Sequence, residues 1–211
     1  IGSVADAATA LVPRIGAMVP GGGHDAGYQF LSGTDTGWGS SGVAGQVGFA
    51  EAYYAYNSNR INVALPTVNG FTVNASYTPA MDMNDSAANA RTNSENSAVH
   101  GETVHVAASY AGEMDGMSYT IGVAQISGNS QTNGDTTLLT FDNNDLSVFT
   151  AAVKVSMGNI TVGAHMYDNG DSFGAANDAD KAANSGYTVS MEYGMGNITL
   201  GVGIAHQEKT M

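Results

Sequence analysis

The chain has no cysteine, which excludes disulfides and thiolate metal sites and suits an oxidising or exposed compartment. Basic residues are scarce: six stand against nineteen acidic ones, for a net charge of −13, which argues against nucleic acid or anionic membrane surfaces as partners. Charged residues of both signs make up only 12% of the chain, roughly half the share usual in a soluble domain. Asn, Ser, Thr and Gly supply the polarity instead. Long hydrophobic runs are missing too, and no stretch approaches the ~20 residues of a transmembrane helix. There is no initiating Met, no basic n-region and no apolar h-region, so any signal peptide is expected to be gone already. The chain begins and ends in mid-pattern and reads as an internal stretch of a longer protein.

What is present is alternation. From Asn59 to Pro79 the sequence runs NRINVALPTVNGFTVNASYTP. Ile61, Val63 and Leu65 share one face of an extended segment, and Arg60, Asn62 and Ala64 share the other. After Asn69-Gly70, Phe71, Val73, Ala75 and Tyr77 alternate with Thr72, Asn74, Ser76 and Thr78. Successive side chains of a strand point to opposite faces, so this is a hairpin with one apolar and one polar face. Asn-Gly provides the positive φ angles of its tight turn.

The same unit recurs three times. The expected strands are 58–66, 71–79, 102–110, 117–126, 146–156, 160–167, 186–193 and 198–206, which make four hairpins. Connections inside hairpins (67–70, 111–116, 157–159, 194–197) are short. Connections between them (80–101, 127–145, 168–185) are long, polar and acidic. A soluble sandwich has no reason to sort its loops this way, whereas a membrane barrel has short turns at one rim and long loops at the other. Strands of about nine residues match a tilted span of the bilayer core. Aromatic residues mark both rims of the apolar face: Phe71, Tyr110, Tyr119 and Tyr193 near the short turns, Tyr77, Phe149 and Tyr187 near the long loops. Residues 1–57 differ. Val4, Ala8, Leu11, Val12 and Ile15 fit a short helix ended by Pro13 or Pro20, and a Gly/Ser/Thr-rich passage follows. That passage reads as a functional loop or a disordered segment; its aromatics count against disorder.

The chemistry-bearing residues do not form a catalytic pattern. The five histidines are scattered without zinc-motif spacing, and no serine sits in a nucleophile elbow. His105 and His165 fall on polar strand faces, as pore-lining groups or as ligands. Arg60, Lys154 and Glu192 have the same phase, as a membrane barrel demands, because a charge on the lipid face costs roughly 2–4 kcal/mol at mid-depth. Asp142, Asp145, Asp168 and Asp171 lie in FDNNDLS and YDNGDSFG, which could supply some calcium ligands or be solvated acidic loops; neither run has EF-hand spacing. Two classes of function remain open: a passive channel, and a soluble or surface-exposed β-rich binding or adhesion domain.

The stretch AYNSNRINVALPTVNGFTVNASYTP resembles the segment of Gram-negative general porins where the chain leaves its inward-folded loop and enters the next two barrel strands, closest to the alphaproteobacterial type. The repeats at 103–126, 147–167 and 186–206 look like later hairpins of such a barrel. The resemblance implies an all-β, antiparallel transmembrane barrel of sixteen strands, about eight of them in this chain in meander order, with an N-terminal inward-folded loop. An intact eight-stranded barrel is the rival, and it leaves residues 1–57 unexplained. It also implies an outer-membrane homotrimer among lipid and lipopolysaccharide, passing small hydrophilic solutes without a cofactor. Residues 1–57 would then be the constriction. There Asp6, Asp25, Asp35 and Glu51 could stand across from Arg60 and Lys154, with Arg14 on the loop itself. The acidic excess leads to an expected preference for cations.

Overall fold

The computed structural model describes residues 6–15, 18, 60–80, 100–130, 145–168, 170, 172 and 184–209. After one short helix, α1 (Ala7–Leu11), come eight strands: β1 (Ile61–Ala64), β2 (Phe71–Ala80), β3 (His100–Met114), β4 (Met117–Ser130), β5 (Leu146–Met157), β6 (Ile160–Asp168), β7 (Asn184–Met195) and β8 (Ile198–Lys209). They form one antiparallel sheet whose spatial order is the order in sequence, from β1 at one edge to β8 at the other. The sheet is open, with β1 and β8 unpaired to each other among the described residues.

Two-residue turns close the hairpins. At Asn69-Gly70 both φ angles are positive (50° and 82°), as they are at Asp115-Gly116 (50° and 78°). That is the turn geometry whose twist matches flanking strands. Several strands outrun the bounds expected from alternation. The stretch AGEMDG was expected to be a six-residue loop. Instead Ala111 to Met114 pair with Thr120 to Met117, and Asp115-Gly116 alone form the turn. A neighbouring strand supplies ladder partners that override the weak strand preference of Gly and Glu. β1 errs the other way. It ends at Ala64 because Pro66 has no N–H to give the ladder. Leu65 still donates to the Val73 carbonyl at 3.0 Å, and Val68 and Phe71 exchange two hydrogen bonds around the turn. In the N-terminal segment the helix stops at Leu11, two residues before Pro13, well short of Ile15.

The sheet is inside out by the standards of a water-soluble protein. Its apolar face is bare: Val106, Ile121, Val162, Val189 and Leu200 are exposed, and Val202 and Ile204 reach 57% and 69%. Between the aromatic rims this face carries no charged residue. Its polar and small-residue face is the covered one, with Ser76, Thr78, Thr103, His105, Thr150, His165, Thr188 and Ser190 all buried. Residues 6–15 and 18 lie on that covered face. Ala7, Ala8, Val12, Ile15 and Met18 form one cluster with Ala107, Ala124, Ile126, Leu146, Val148, Ala152 and Tyr167 of β3 to β6.

Candidate functional site

Asp6 is the point at which the N-terminal segment meets the wall. Its extended backbone (φ −72°, ψ 173°) places the side chain over the first turn of α1 as an N-cap. Oδ1 accepts the Thr9 N–H at 2.9 Å, and Oδ2 accepts the Thr9 hydroxyl at 3.0 Å. The same two oxygens reach the sheet. Arg60 Nη1 donates to Oδ2 at 3.2 Å, and His105 Nδ1 lies 3.1 Å from Oδ1. A carboxylate oxygen only accepts, so that imidazole nitrogen carries the proton. Ser76 of β2 adds a further tie by accepting the Ala7 N–H at 3.1 Å.

Asp6, Arg60 and His105 are each about 1–2% exposed. Burial raises the Asp6 pKa, but the hydrogen bond and charge of His105 and the two Thr9 donors outweigh it and hold the group at about 2. The arginine is less fully engaged. Its Nε and Nη2 have no hydrogen-bond partner among the described residues, and neither does the neighbouring Thr78 hydroxyl.

From Asp6 the segment runs across the polar face. Leu11 to Pro13 pass over Gly122 of β4, and Ile15 with Met18 lies against Gly163 of β6. Arg14 is half-buried on this path. Beyond it His165 makes a separate site, its Nε2 2.7 Å from Thr150 Oγ1. The Thr150 hydroxyl can donate to the Met166 carbonyl at 3.3 Å, which leaves Oγ1 to accept from a protonated Nε2. Tyr167 stacks at a tilt beside it, ring centroids 6.2 Å apart.

The remaining candidates are dispersed. Lys154 is exposed on the polar face of β5, and Glu192 is half-buried on β7, opposite Thr161. Asp25, Asp35 and Glu51 lie outside the described residues, as do Asp142 and Asp171. Asp168 turns one carboxylate oxygen to the Gly170 N–H at 2.9 Å, and Asp145 is exposed. No group of three His, Asp or Glu able to hold a metal ion occurs among the described residues, so calcium finds no support there. From the sequence Asp6 could stand across from Arg60 in the constriction; in the structure the two meet, as a buried tie. It also passed over Thr9, Ser76 and Thr150, which as small hydroxyls carry no spacing signal. Gly122 and Gly163 were visible as glycines at polar-face positions, but what they make room for was not.

An apolar face left bare, and a polar face covered by the chain's own segment, together describe a wall with lipid outside and water inside. A model of the Gram-negative porin family matches residues 8–210. The chain belongs to the Gram-negative porins. Comparison with curated proteins and with solved structures found no match. Porins are channels of the outer membrane, and in this porin the strands β1 to β8 are a meander portion of the wall. The match takes in residues 8–18 as well as the strands.

Proposed function

We propose that this porin is a passive, non-catalytic channel for small hydrophilic solutes and ions, narrowed by residues 1–57, and that it prefers cations. The observation that carries the reading is the docking of Asp6 to Met18 on the polar face of the sheet, where they occupy space a lumen would otherwise fill. Asp6 itself contributes little to selectivity, because Arg60 and His105 neutralise it and water does not reach it. The preference rests on the remaining acids: the chain carries −13 overall, and these acids outweigh Lys154, an exposed base on the polar face. Acidic loops concentrate cations over about a Debye length, roughly 8 Å at physiological salt. The narrowest section then discriminates, with Asp25, Asp35 and Glu51 as the groups proposed to do so.

Reversal potentials across a salt gradient test the preference in planar bilayers. A cation-selective potential is expected, reduced more by Asp25→Asn with Asp35→Asn than by Asp178→Asn with Asp180→Asn. An anion-selective channel overturns the preference. A larger effect of the outer pair overturns the assignment of residues 1–57 as the constriction. We further propose a homotrimer seated in lipid and lipopolysaccharide, for which mass in detergent is the measurement; a monomer refutes it.

A further inference from the structure

Beneath the inward segment part of the wall is built of the smallest residues, beside larger ones such as Ile126, Leu146 and Val148. Ala107 of β3, Gly122 and Ala124 of β4, Ala152 of β5 and Gly163 of β6 all lie where residues 7–15 and 18 pack. Neither Gly122 nor Gly163 has a positive φ, so backbone conformation does not call for glycine at either place. Space does. The two are not equivalent, however. A Cβ on Gly122 would meet main chain: the Leu11 carbonyl oxygen, and Val12 Cα at 2.8 Å, with the ring carbon Cδ of Pro13 also at 2.8 Å. None of these atoms can swing aside, since Leu11 ends α1 and the proline ring fixes its own φ. A Cβ on Gly163 would meet the tip of Ile15 and Met18 Sδ, the latter at 3.0 Å. Both are ends of flexible side chains with other rotamers to use.

We propose that Gly122 sets the depth at which residues 11–13 sit in the wall, and thereby the free width of the channel. This rests on the reading of the segment as the narrowing of the lumen. A side chain at 122 has to lift the backbone of residues 11–13 by the better part of an ångström before carbon contacts return to about 3.5–4 Å. Asp6, at the start of the same short helix, stays tied to Arg60 and His105. The segment therefore pivots about its Asp6 end and moves into the water-filled space. Width is fixed here by an absent side chain rather than by a charged one.

The test compares Gly122→Ala with Gly163→Ala in the native, full-length protein, with Thr199→Ala as a control on the exposed polar face of β8. One readout is single-channel conductance with the size cut-off for neutral sugars. The other is the rate at which a water-soluble maleimide labels an Ala152→Cys site placed in each background, Ala152 being 5% exposed in the same cluster and the cross-strand partner of Gly122. Gly122→Ala is expected to lower conductance, shift the cut-off to smaller sugars and speed labelling at 152. Gly163→Ala and the control are expected to match the parent. The proposal is overturned if Gly122→Ala leaves conductance and labelling unchanged, or if Gly163→Ala changes them equally. Should Gly122→Ala not assemble, Ala124→Val adds bulk to the same seat and is held to the same outcomes. A parent protein that inserts but passes no current refutes the channel reading instead, and labelling still decides how the segment is seated.

Discussion

At the scale of single residues, Asp6 shows how a buried carboxylate can hold a segment in place. Removing one member of a buried ion pair costs about 3–5 kcal/mol, because the partner is left charged and dry. Asp6→Asn is therefore expected to loosen residues 6–18 while the sheet persists. Labelling of an Ala8→Cys site, 2% exposed in the parent, by a small water-soluble maleimide should become faster in the variant, and an unchanged rate would count against the tie. Acid has a defined effect as well. The folded carboxylate is held at about 2, below its ordinary 3.8, so its contribution is present above pH 4 and is lost as pH falls toward 2. Protection of the Ala7 and Thr9 amides against hydrogen exchange, corrected for the intrinsic rate, is expected to be steady from pH 7 to about 4 and to weaken below that. Arg60, His105 and Thr9 are the groups that face Asp6, and of these the arginine keeps its charge across the range. Only the resemblance set Asp6 across from Arg60, and nothing in the sequence joined His105 to them. The phase of Arg60 and His105 on polar faces was visible, but their meeting spans 54 and 99 residues from Asp6, and no local pattern reports such distances.

At the scale of elements, alternation carried nearly all the information. Each hairpin buries one face and bares the other, so a period of two reports both the strand and its orientation. Strand ends were less legible, because ladder partners extended β3 across Ala111–Met114 and Pro66 cut β1 short. The two faces also make opposite demands on a charge. Val189 lies on the apolar face between Tyr187 and Tyr193, and Arg at a mid-depth lipid position costs roughly 2–4 kcal/mol. Val189→Arg is expected to lower the unfolding free energy of the reconstituted protein by that amount. Thr199→Arg, on the exposed polar face of β8, should leave it within about 0.5 kcal/mol of the parent. Denaturant titration in bilayers reads both, and equal losses would mean the faces are assigned wrongly.

At the scale of the whole molecule, β1 and β8 each present an edge unpaired among the described residues, and an apolar face spans the sheet between them. Residues 60–209 produced alone in water are expected to aggregate, and to be recovered in detergent; a soluble monomer by light scattering would contradict this. The strictly sequential strand order has another consequence, which concerns ancestry. Among the described residues every strand pairs with its neighbours in the chain and none pairs out of sequence. A hairpin can therefore be duplicated or deleted without disturbing any other register, and the returning strand restores the original facing of polar and apolar sides. The circumference of such a wall changes by whole hairpins, two strands at a time. Fine adjustment of the opening is left to whatever lies against its inner surface. Lineages of this architecture thus have a coarse control in gene duplication and a fine one in single substitutions beneath the docked segment.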